Sequence, residues 1–137
     1  MYNKYHDEYL HLIKMFGKYA VDSDASLDFY YQTKDEHDLV HIREKYDLVN
    51  VAGSGDELTK MMNLFKWLNS HIVHDGSQVY NGESNVIDIL KQIEAGKSVN
   101  CRMVSIALCE VYLAMGFPSR VITCMPIGFD FKDCHVV

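Results

Sequence analysis

Apolar residues recur at three- and four-residue steps through most of this chain and at every second position near its end. Leu58, Met61, Met62, Phe65, Leu68 and Ile72 follow the first rhythm and predict an amphipathic helix over about residues 55–73. Ser54 and Glu57 stand in the Ser-x-x-Glu arrangement of a capping box at its start. Tyr5, Tyr9, Leu12, Ile13 and Phe16 predict an earlier helix over residues 3–20, weakened at its end by Gly17. VDSDAS then reads as a turn, and the aromatic, β-prone LDFYYQT as a short strand or a helix start. In DEHDLVHIREKYDLV the acidic residues lead and Arg43 and Lys45 trail, which suits a helix dipole, while Leu39, Ile42 and Tyr46 share a face. VAGSGD is the clearest break. After the loop DGSQVYNGES, Ser84 or Asn85 caps a further helix that turns Val86, Ile89, Leu90 and Ile93 inward and ends at Gly96.

The stretch NCRMVSIALCEVYLAMGFPSRV, residues 100–121, organises the rest. Asn100 is a good N-cap, which places Cys101 at the first helical position. As far as Met115 the clearly polar side chains are Arg102, Ser105 and Glu110, so this helix is apolar on nearly every side and belongs at the centre of the fold. Gly116 is placed to end it in a left-handed conformation, and Pro118 forbids its continuation. Val121 and Ile122 open a β-rich run. DCHVV alternates, with His135 and Val137 on one face of a strand and Cys134 and Val136 on the other. Helices first and strands last read as an α+β fold.

A chain of 137 residues is one domain by length and buries about two-thirds of its unfolded surface. With 13 basic and 19 acidic side chains the net charge is −6, which gives no electrostatic case for nucleic acid or an anionic membrane. Apolar runs last only a few residues, too short to span a bilayer, and MYNKYHDEYL lacks the apolar core of a signal peptide. Cys101, Cys109, Cys124 and Cys134 form no Cys-x-x-Cys pair, so a zinc cage is not expected. Free thiols and hence a cytoplasmic location are the expectation, with Cys124 and Cys134 the pair placed for a disulfide.

Candidate chemistry centres on Cys101. The positive end of a helix dipole and its free N–H groups stabilise negative charge on a sulfur held there, making Cys101 a candidate nucleophile. The competing reading is a small buried hydrophobe. His135 on an adjacent strand would be its base, against the reading of a half-buried strand histidine. His37 and His41, and likewise His71 and His74, have spacings that two metal-bound imidazoles share, yet lack a third ligand and read as surface residues. The tyrosines Tyr2, Tyr5, Tyr9, Tyr19, Tyr30 and Tyr31 read as packing, and Arg120 as the anchor of a strand start.

From Cys101 through Ser105, Ala107, Gly116, Phe117, Pro118, Ser119, Arg120 and Val121 to His135, the chain resembles the transglutaminase-like superfamily over about residues 55–137. The resemblance implies a papain-like fold with a small antiparallel sheet after the helices. It also implies thiol chemistry on a peptide or protein amide, with Cys101 as nucleophile and His135 as base. Acyl transfer to water or an amine follows, and no cofactor is required. The preceding loop supplies the second oxyanion donor, with Gln78, Tyr80 and Asn81 as candidates that no spacing separates. Family members carry an orienting Asp on the strand after the histidine. Asp130 and Asp133 are poor substitutes, and Val137 is the last residue. The sequence therefore reads as a truncated domain with an incomplete sheet, inactive as it stands and able to self-associate through an open edge. The alternative is a degenerate, non-catalytic domain for binding or assembly.

Overall fold

Asp56, not Ser54, starts the long helix of this domain. In a computed structural model its carboxylate accepts from the Thr59 backbone N–H at 2.8 Å. A charged acceptor one position before the first helical residue outcompetes the hydroxyl of Ser54, so the expected capping box does not form. The structure describes residue 11 and residues 28–79, 85–124 and 135–137. The expected helix over residues 3–20 falls almost wholly outside these. The chain divides into two compact units, residues 1–30 and 31–137, and the second holds nearly all the described residues.

That second unit contains α1 (His37–Lys45), α2 (Leu48–Ala52), α3 (Glu57–His71), α4 (Val86–Glu94) and α5 (Cys101–Ala114), then the strands β1 (Thr123–Cys124) and β2 (His135–Val136). Helix-rich, with a small two-stranded antiparallel sheet, it is α+β. Residues 28–33 are irregular, not a strand. The helix expected through DEHDLVHIREKYDLV breaks at Asp47, whose φ of 49° is the left-handed conformation that Asp tolerates better than most residues. The short α2 follows and takes up the start of the expected VAGSGD loop.

α5 is the hub: α1, α3, α4 and β2 all pack on it. Met103, Ala107, Val111, Leu113 and Ala114 are its buried residues. They meet Leu39 and Ile42 of α1, Leu64 and Leu68 of α3, and Val86, Ile89, Leu90 and Ile93 of α4 in one core. Each fully buried Leu, Ile or Val contributes roughly 1.5–3 kcal/mol relative to exposure. The face of α3 is narrower than its sequence suggests. Leu64 and Leu68 are buried, whereas Leu58, Met62 and Phe65 are 68%, 43% and 42% exposed.

Polar side chains fix the helix ends. Arg43 of α1 donates to the Ala114 carbonyl at 2.7 Å, so its cation serves the negative end of α5 instead of its own helix. Beyond Ala114 the chain closes with Phe117 N–H on the Tyr112 carbonyl and Gly116 N–H on the Leu113 carbonyl. Gly116 has a φ of 82°, and the Phe117 ring meets the Tyr112 ring edge-on at 6.4 Å. That turn reverses the chain toward β1. β1 pairs with β2 in the register Thr123 to Val136 and Cys124 to His135.

Candidate thiol site

Asn100 caps α5 as the sequence predicts: its side-chain oxygen accepts from Met103 N–H at 3.0 Å. The same side chain donates through Nδ2 to the Gln78 carbonyl at 2.8 Å. Two backbone bonds, Asp75 N–H to Val99 O at 3.0 Å and Val99 N–H to Val73 O at 2.9 Å, lay the segment 73–75 beside the residues that lead into the helix. Cys101 is therefore held at the first turn of α5, half-buried, between its own helix and this segment.

β2 arrives from the other side. Ile122 and Val137 exchange both backbone hydrogen bonds, at 2.8 and 2.9 Å, so Thr123 and Val136 form the non-hydrogen-bonded pair. The Val136 carbonyl thus points away from β1. Ser105, one turn into α5 from Cys101, reaches it at 2.9 Å; the same hydroxyl lies 2.8 Å from the Cys101 carbonyl and shares its one proton between the two. Val136 is buried while His135 and Val137 are exposed, which is the alternation read from DCHVV.

Cys101 and His135 line one cavity of about 520 Å³. Met61, Phe65, Val104, Leu108 and Tyr112 give it an apolar wall, and His74, Ser119 and Arg120 add polar groups. Among the described residues no Asp or Glu side chain lines it. Asp130, Asp133, Cys134, Tyr80 and Asn81 lie outside the described residues. Gln78 is described but does not line the cavity; its amide donates to Asp75 at 3.2 Å. Asp75 is held below the usual carboxyl range by the Ser77 hydroxyl first, then by the Ser77 N–H and Gln78.

His74 is the residue that spacing alone missed. Sequence periodicity pairs it with His71, but α3 ends between them. The His71 ring stays on its own helix, 2.8 Å from the Trp67 carbonyl, whereas His74 lines the cavity with Cys101. Its only sequence signal is its place just before an Asp-Gly turn, which fixes no distance to residue 101.

Cys109 also lines the cavity, and Glu110 follows it in the helix without reaching the lining. Burial first, and the neighbouring Glu110 second, push the Cys109 thiol up from its ordinary value. Burial, and then the charge of Asp38, push Glu110 itself up to about 7. Cys101, Cys109 and Cys124 are free thiols.

A helix-rich α+β domain with a cysteine at the head of its central helix, and a strand histidine on the same cavity, defines a class of candidate thiol proteins. A sequence model of the transglutaminase-like superfamily matches residues 47–137, and the chain belongs to that superfamily. No curated protein and no solved structure matches it significantly.

Proposed function

We propose that this domain carries a thiol acyl-transfer site of papain-like arrangement that acts on a peptide or protein amide. Cys101 is the nucleophile and His135 its base. The Cys101 proton passes to the His135 imidazole as sulfur bonds to the carbonyl carbon, and the imidazole then returns a proton to the departing amine. Water or a second amine releases the acyl group. The observation that carries this reading is the meeting of Cys101, from the head of α5, with His135, from β2, on one cavity. Ser105 ties those two elements together.

Competitive labelling with iodoacetamide at neutral pH, read by peptide mass spectrometry, tests it. Cys101 is expected to react well ahead of Cys109 and Cys124, and His135→Ala to remove that lead. Equal, slow labelling of all three would overturn the reading. A second reading, a thiol fold kept for binding or assembly, is favoured by one observation, the lack of an Asp or Glu side chain among the described cavity residues to orient His135. Equal labelling is the result that reading expects.

A further inference from the structure

We propose that His74 is the side-chain donor that holds the oxyanion formed at Cys101; the assignment rests on the acyl-transfer reading above. Attack on a carbonyl drives an electron pair onto oxygen, and that charge needs fixed N–H or O–H donors. As the first residue of α5, Cys101 offers one, since its backbone N–H has no intrahelical acceptor. The next free N–H groups of the turn are fewer than in an uncapped helix, because Asn100 takes that of Met103. A second donor must come from a side chain.

The cavity offers few. Ser105 gives its proton to the Cys101 or Val136 carbonyl, Tyr112 to the Met61 carbonyl at 3.1 Å, and Ser119 to the Phe117 carbonyl at 3.1 Å. Arg120 follows the turn at the opposite end of α5 and has an interaction of its own. His135 is the base. Among the described lining residues His74 remains, and its backbone is fixed beside the start of α5. Residues 73 and 75 bond to Val99 on either side of it, two positions before Cys101, so His74 lines the cavity from beside the head of the helix. β2, by contrast, meets the helix one turn further in, at Ser105. The two histidines thus come to the cavity from separate elements. A neutral imidazole with one ring N–H suffices for the donor role.

Two probes of Cys101 separate an oxyanion donor from a base. With p-nitrophenyl acetate the sulfur bonds to the carbonyl carbon, the carbonyl pair moves to oxygen, and its return expels p-nitrophenolate with the pair of the broken C–O bond. With iodoacetamide the sulfur displaces iodide from a saturated carbon, and no oxyanion forms. Both are followed as modified Cys101 by mass spectrometry, so that ester hydrolysis elsewhere does not count. His74→Phe keeps a ring but removes the N–H; it is expected to slow acylation about 100-fold and leave alkylation unchanged. His74→Gln, which restores a donor, is expected to recover part of the loss, while His135→Ala slows both reactions. Acylation unchanged in His74→Phe overturns the assignment. So does a parallel fall in acylation and alkylation, which would make His74 a base or a packing residue. Wild-type Cys101 no more reactive to iodoacetamide than the other thiols would instead sink the acyl-transfer reading itself.

Discussion

Glu110 places a partly buried carboxyl among the packed helices, with Asp38 of α1 close enough to repel it and the Cys109 thiol beside it. Asp38 itself lies 3.0 Å from the His37 ring and accepts from the Asn85 amide at 3.3 Å. The carboxyl is raised from 4.5 to about 7. Between those values the folded protein keeps a proton that the unfolded chain has released. More protons bound in the native state means that stability falls as pH rises across this window and levels off above it. Thermal melts at about pH 5 and about pH 8 should show that fall, and Glu110→Gln should reduce it by holding the site neutral throughout. An equal slope in the variant would mean that other groups set the pH response. The sequence marked Glu110 as a polar residue on an apolar helix. It could not say that Asp38, 72 positions earlier, lies against it.

At the scale of single elements, helix ends were legible where one short side chain or one glycine decides the matter. Asn100, Asn85, Gly96 and Gly116 all stand where the pattern puts them. For Gly116 the decision is conformational. A Cβ there would meet only the Lys34 Cδ at 3.7 Å, an ordinary contact, but a φ of 82° costs an L-residue about 1–2 kcal/mol. Gly116→Ala is therefore expected to lower stability by about that amount in urea unfolding, without moving the burial of Phe117. Stabilisation would show that the turn tolerates another conformation. The Ser54–Glu57 box failed for the converse reason. Two cap signals two residues apart compete, and only the charges and distances in the folded chain rank them. The break at Asp47 was likewise hidden, since nothing in DLV forbids a continuing helix.

For the whole molecule, what decides burial is the packing order around α5. Periodicity showed that α3 is amphipathic but not which strip of a broad apolar face meets the hub. Leu64, which the rhythm of Leu58, Met61, Met62, Phe65, Leu68 and Ile72 leaves out, is fully buried, whereas Leu58, which belongs to it, is 68% exposed. Leu64→Ala should cost about 2–5 kcal/mol in guanidinium unfolding, whereas Leu58→Ala should be nearly silent. Comparable losses at the two positions would mean that another surface covers Leu58. The candidate site was legible to a similar degree. Cys101 and His135 stood out because a helix start and an alternating strand mark them. His74 did not, because its place depends on a loop folding back along Val99.

The single amide of Asn100 grips two things at once: the opening turn of the central helix through Met103, and the stretch carrying His74 through the Gln78 carbonyl. Fraying at that end therefore loosens the far side of the neighbouring stretch in the same event, while the Val99 bonds to residues 73 and 75 still hold its near side. Local opening of the helix start and of the loop after His74 is thereby coupled through one side chain.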